Sequence, residues 1–116
     1  MITSYAFGKM KIGSRAYSSD LMIFPDGRVR DNWYRAAGHT LDMADLDALV
    51  REKPSLIIAG TGAYNRMVPS ADLASSLSAL RIDFHAAPTA DAVALYNRLV
   101  REKTIAGFSA CFHLTC

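Results

Sequence analysis

Cysteine, tryptophan and long apolar runs are scarce in this chain, and each shortage excludes something. Two cysteines, Cys111 and Cys116, cannot build a disulfide framework and suit a reducing compartment. No apolar stretch approaches the roughly 20 residues needed to span a bilayer. The opening Met1-Ile2-Thr3-Ser4-Tyr5 lacks the charged start and apolar stretch of a signal peptide. A cytoplasmic protein without membrane insertion is therefore expected. Charge of one sign is missing as well: 13 basic residues stand against 11 acidic ones, for a net charge of +2. The basic residues gather mainly at predicted helix ends and turns, where they complement helix dipoles rather than form a stripe, which argues against a nucleic-acid partner.

What is present is ordinary globular composition, 51% hydrophobic and 21% charged, in 116 residues. That length supports one core without staples, so residues 1–116 read as a single domain, and a monomer is expected.

The first third reads as β-structure. Apolar runs at Leu21-Met22-Ile23-Phe24 and Val29 to Tyr34 flank Phe24-Pro25-Asp26-Gly27, in which proline presets φ and glycine accepts a left-handed geometry. Residues 20–33 are thus predicted as a hairpin. Three helical segments follow. The first runs from Thr40 or Asp42 to a stop at Pro54, the second begins at Pro69-Ser70, and the third begins at Pro88-Thr89. Strands at Leu56–Ala59, Ile82–Ala86 and 104–114 separate or follow the last two, which implies right-handed crossovers and parallel pairing. In the last strand Phe108, Ala110, Phe112 and Leu114 share a core face, and Ser109, Cys111, His113 and Thr115 a more polar one. The fold class is α/β: an amino-terminal antiparallel β-hairpin region joined to a βαβαβ unit with a mixed sheet.

The chemistry-bearing candidates are few. Ser55 to Gly62 is an apolar run ending in Gly60-Thr61-Gly62, and ligands in open α/β sheets sit beyond the carboxyl ends of strands. A dinucleotide fingerprint would need a third glycine and an immediate helix; a phosphate loop would need a lysine. None is present. Two readings stay open for Gly60, Thr61, Gly62, Asn65 and Arg66: a tight strand exit, or backbone amides and one guanidinium holding a small anion. Cys111-x-His113-x-x-Cys116 puts Cys111 and His113 on one strand face, with Asp83 and His85 on another strand. A metal wants more ligands on rigid elements, so buried thiols and a backbone-bonded histidine are expected, with no metal and no cofactor. His39 follows Ala37-Gly38 with no nucleophile beside it, so no triad is assigned. Trp33, Tyr34 and Arg35 end the hairpin; core packing is the default for Trp33, while aromatic and guanidinium groups together are of the kind found at interfaces.

Tyr5-x-Phe7-Gly8, Phe24-Pro25-Asp26-Gly27, Trp33 with Gly38-His39, Gly60-Thr61-Gly62, Thr89-x-x-Ala92-Val93-x-x-Tyr96-Asn97 and His113-Leu114-Thr115-Cys116 occur in one order along nearly the whole chain. Together they resemble the Mth-type small α/β domain, shared by the mitochondrial complex I assembly factor 3 and the adipogenesis-associated Mth-domain protein. The resemblance implies a compact three-layer α/β domain and no catalytic residues. It also implies a non-catalytic interaction domain, an assembly or regulatory factor with an unknown protein partner. The residues themselves point to Trp33-Tyr34-Arg35 and the loop Gly60–Met67 as its contact surfaces. The rival expectation is a small-molecule or anion-binding protein or enzyme using the Gly60-Thr61-Gly62 cleft, with Arg66 as clamp and His39 or Cys111 as chemical group.

Overall fold

The apolar run Leu56–Thr61 is an interior strand of a five-stranded mixed sheet, and everything else is arranged around the two faces of that sheet. A computed structural model describes residues Met1–Cys116. In chain order the strands are β1 (Ile2–Ala6), β2 (Lys9–Ile12), β3 (Arg15–Tyr17), β4 (Leu21–Ile23), β5 (Val29–Arg30), β6 (Thr40–Leu41), β7 (Leu56–Thr61), β8 (Val68–Pro69), β9 (Asp83–Ala87) and β10 (Phe108–His113). The helices are α1 (Asp47–Val50), α2 (Leu73–Ala79) and α3 (Thr89–Glu102). The main sheet has the order β5-β4-β10-β7-β9. β10, β7 and β9 run parallel, and β4 and β5 add an antiparallel edge through the expected hairpin. The amino-terminal strands β1, β2 and β3 form their own antiparallel sheet, and β6 pairs with β8.

Strand alternation divides the interior in two. Ile57, Ala59, Met22 and Cys111 face α1, α2 and Trp33. Ile58, Ala110, Phe112 and Leu21 face α3 and the amino-terminal sheet. Three layers result. A side-chain amide seals the second interface, with Asn97 on α3 accepting from the Ile2 N–H at 2.9 Å and donating to the Ile2 carbonyl at 2.7 Å. No helix is long and apolar enough to cross a membrane.

Several boundaries differ from the sequence expectation, for local reasons. The segment from Asp42 is a 3₁₀ turn, Met43–Leu46, followed by the four-residue α1. The Asp45 carboxylate bends back to the N–H groups of Asp42 at 2.9 Å and Ala36 at 3.2 Å, and Lys53 leaves the turn with φ 52°. Pro69 does not start α2; it lies in β8, and the Ser70 N–H bonds the Leu41 carbonyl at 2.9 Å. Residues 104–107 are an exposed loop rather than strand. The supposedly polar face of β10 is also buried, with Ser109 and Cys111 at 0% exposure, because α1 and α2 cover that side.

Gly60 has a steric job. A Cβ there would stand 2.7 Å from Phe112 Cδ1, 3.0 Å from Thr89 Oγ1 and 3.2 Å from Thr89 Cα. The start of α3 crosses β7 at this point, so Gly60→Ala is expected to destabilise the fold by about 1–3 kcal/mol. Urea unfolding checks this, and a stability equal to wild type would show that the crossing has room to give.

Candidate functional site

The parallel strands β9, β7 and β10 deliver their carboxyl ends to one end of the sheet, where Gly60-Thr61-Gly62, the start of α3 and His113 meet. A single buried hydroxyl joins them. Thr89 Oγ1 accepts from the Gly62 N–H at 2.8 Å and donates to the His113 carbonyl at 2.6 Å. The loop that follows is closed by the chain itself. Ala63 N–H bonds the Thr115 carbonyl at 2.6 Å, and Arg66 N–H bonds the Cys116 carbonyl at 3.0 Å. Asn65 N–H turns back to Gly62 and Met67 N–H to Thr61, while the Thr61 hydroxyl donates to the Asn65 side chain. Gly62, at φ 107°, has no room for a side chain, since a Cβ would clash with the Cys116 carbonyl.

Of the two readings open for this loop, the backbone geometry is that of a tight strand exit. The amides of Gly62, Ala63, Asn65 and Arg66 are all occupied by other parts of the chain, and the side chains of Asn65 and Arg66 are exposed. Thr61 pairs with His113 in the sheet, and Ala63 and Arg66 then clamp residues 115 and 116 against the loop. An apolar groove of about 620 Å³ lies instead at the opposite end of the sheet, between Val50, Lys53, Leu80, Arg81 and Gly107.

Of the three residues expected at a contact surface, only Tyr34 is exposed. Trp33 is a core residue, 5% exposed, and donates its indole N–H to the Asp45 carbonyl at 3.1 Å. The Arg35 guanidinium stacks over that indole with its carbon 4.8 Å from the ring centroid, and its side chain is 5% exposed. Exposed aromatics do occur beside the clamp. Phe7 and Tyr64 are 57% and 70% exposed, with ring centroids 6.0 Å apart. Sequence reasoning missed this pair because its two members belong to distant segments of the chain, and no local pattern reports their adjacency.

Arg35 is held by a partner that sequence reasoning also missed. Asp20 Oδ2 accepts from Arg35 at 2.9 Å and lies 2.7 Å from His113 Nδ1, while Asp20 Oδ1 accepts from the Leu114 N–H at 2.8 Å. A nitrogen that close to a carboxylate carries a proton, so His113 donates to Asp20 through Nδ1. This replaces the expected backbone bond. Nε2 is buried and has no partner, and the same is true of Arg35 Nη1. His39 Nε2 lies 3.5 Å from Cys116 Sγ, and its ring meets that of His113 edge-on at 5.9 Å. Cys111 stays away from this group as a core thiol, and burial pushes its pKa from 9.0 up to about 12. Asp83 and His85 are exposed on β9, beyond β7 from His113, and do not join it.

The family model described as a protein of unknown function, DUF498/DUF598, matches residues 2–109. The chain is similar in structure to a conserved hypothetical protein, PH1505, of Pyrococcus horikoshii OT3. The two are 23% identical with a TM-score of 0.84, over 100% of this chain and 99% of that one. A Bartonella henselae protein described as an outer membrane protein is 18% identical with a TM-score of 0.80, over 99% and 94% of the chains. A Bordetella pertussis protein described as a Mth938-like domain is 17% identical with a TM-score of 0.66, over 98% and 85%. No curated protein matches. These likenesses establish the fold.

Two outcomes test this geometry. Asp20→Ala removes one partner of a largely buried ion pair, and denaturant unfolding is expected to show a loss of about 3–5 kcal/mol. A thiol reagent at neutral pH is expected to label Cys116 quickly and Cys111 only after denaturation. Because the Cys111 pKa is raised in the fold, its share of the stability is full below pH 9.0 and declines as pH climbs toward about 12.

Proposed function

The chain belongs to the DUF498/DUF598 family of proteins of unknown function, and from that footing we propose that it is a non-catalytic protein-interaction domain. The reading is carried by the exposed Phe7–Tyr64 pair, set at the carboxyl end of the sheet on backbone that is tied down on both sides. Gly8 N–H bonds the Leu114 carbonyl at 2.8 Å, and the loop bearing Tyr64 is bonded to Thr115 and Cys116. Rigid exposed aromatics lose little conformational entropy on binding and are enriched among residues that dominate interfaces. Asn65, Arg66 and Val68, all exposed on the same connection, extend the contact surface with polar and apolar groups. Tyr34 is its outlying member. The role is that of an assembly or regulatory factor that acts as a monomer on a larger complex in a reducing cytoplasm, where Cys111 and Cys116 remain thiols.

The rival ligand-binding reading draws no support from the loop amides, which are internally bonded. It keeps one observation, the groove flanked by Lys53 and Arg81, whose shape suits a small apolar anion. A thermal-shift screen with carboxylates and phosphates tests it, and Arg81→Ala should abolish any ligand-induced rise.

For the leading reading, tagged protein is returned to cells that naturally make it and lysates are separated by size. Wild type is expected in an assembly larger than the monomer. The variant carrying Phe7→Ser and Tyr64→Ser should elute alone while melting within about 4 °C of wild type. Wild type found only as monomer would overturn the reading, as would a double variant that stays in the assembly.

A further inference from the structure

We propose that His39, His113 and Cys116 form a binding site for a zinc-class divalent metal, with Asp20 as the residue that positions His113. Each of the three offers one ligand atom, and these atoms lie within 4.8 Å of one another. Tetrahedral zinc with bonds of about 2.0–2.3 Å spaces a nitrogen and a sulfur donor about 3.6 Å apart. His39 Nε2 and Cys116 Sγ, at 3.5 Å, already have that spacing. Two imidazoles and a thiolate are a borderline-soft donor set, which selects zinc, cobalt or copper over magnesium or calcium.

A second observation points independently to a ligand. His113 is 6% exposed, and its Nε2 is buried without a hydrogen-bond partner. A polar ring nitrogen stripped of water and given nothing in return costs free energy. Its opposite nitrogen, Nδ1, is fixed 2.7 Å from Asp20 Oδ2. A carboxylate that orients one ring nitrogen and leaves the other free is the outer-shell arrangement of histidine metal ligands. Arg35 lies on the Nδ1 side, 3.1 Å from that atom, and neutralises Asp20 there.

The three ligands stand on backbone that is held in place. The His39 carbonyl accepts from the Val68 N–H at 2.8 Å, the Cys116 carbonyl from Arg66, and His113 ends β10 in register with Thr61. Gly62 leaves the space between His113 and Cys116 free of any side chain of its own. His39 is exposed and Cys116 half-buried, so the fourth coordination position opens to water. Two exposed or half-exposed ligands also give the metal a way in. The site is independent of the aromatic surface and stands whether or not a protein partner is found.

The test is titration of reduced, chelator-treated protein with zinc by calorimetry and with cobalt by absorption. One equivalent of each metal is expected, at micromolar affinity or tighter, with tetrahedral cobalt bands and a sulfur-to-cobalt charge-transfer band. His39→Ala and Cys116→Ser should each weaken binding at least tenfold, and Cys116→Ser should also remove the charge-transfer band. Both positions lie outside the core, and metal-free melting temperatures equal to wild type confirm that the variants fold. Asp20→Asn should weaken binding by about 10–100-fold and leave the cobalt spectrum tetrahedral. Absence of stoichiometric uptake at tenfold metal excess overturns the proposal. So does uptake that His39→Ala and Cys116→Ser leave unchanged.

Discussion

Asp20 is the constraint on which this molecule's organisation rests. It stands immediately before β4, and its carboxylate reaches across to His113, Leu114 and Arg35. One oxygen fixes the backbone at the exit of β10. The other holds the guanidinium that stacks on Trp33. Through these bonds a single side chain joins the exit of a central strand to the loop that leaves the hairpin, and it does so where β7 and α3 also arrive. A charge this far out of water is costly to keep, and charge-assisted hydrogen bonds on both oxygens offset that cost.

The two ends of the sheet are consequently different in kind. At the carboxyl end the backbone donors are turned inward on other parts of the chain, and the Phe7–Tyr64 pair and the side chains of Asn65 and Arg66 face outward. At the amino end, where Lys53, Ser55, Arg81 and Gly107 precede or adjoin the strands, the surface opens into an apolar groove. Ligands of open α/β sheets gather beyond the carboxyl ends of strands because unsatisfied N–H groups collect there at helix starts. Here Thr89 supplies the hydroxyl that Gly62 needs, and residues 115 and 116 take up further donors. The usual attraction for an anion has been used for internal cohesion.

Much of the architecture was legible in the residues. Alternation and continuous apolar runs marked β4, β7 and β10, the Pro25-Asp26-Gly27 turn marked the hairpin, and Pro88-Thr89 marked α3, which starts at Thr89. The ordered motifs pointed to the Mth-type domain, in agreement with the family match and with a solved neighbour described as a Mth938-like domain. Short segments were less legible. Asp42 to Val50 has helical spacing, yet the Asp45 carboxylate bonds the N–H groups of Asp42 and Ala36, an arrangement that no periodicity reports. The site was the least visible part. His113 and Asp20 are 93 positions apart, and His39 and Cys116 are 77 apart. Local pattern pairs His113 with Cys111, its neighbour on the strand face, whereas the fold buries Cys111 in the core and brings His39 across from another connection. Trp33 stayed open between two readings for a related reason: residue type alone cannot tell an indole that anchors a core, as it does here, from one that greets a partner.

The place of β10 between β4 and β7 also sets the order in which the molecule can be built. Of the ten strands it is synthesised last, yet it fills the centre of the sheet. Until it leaves the ribosome, the hairpin of β4 and β5 and the β7–β9 pair have no strand between them, and each presents an unpaired edge to the cell. The main sheet therefore cannot settle in stages from the amino terminus; it must wait and then close around β10. Such long-range closure is slow, and open strand edges invite misassociation during the delay. A product truncated before β10 would be sticky, so the demand that translation run on through residue 113 is written into the topology.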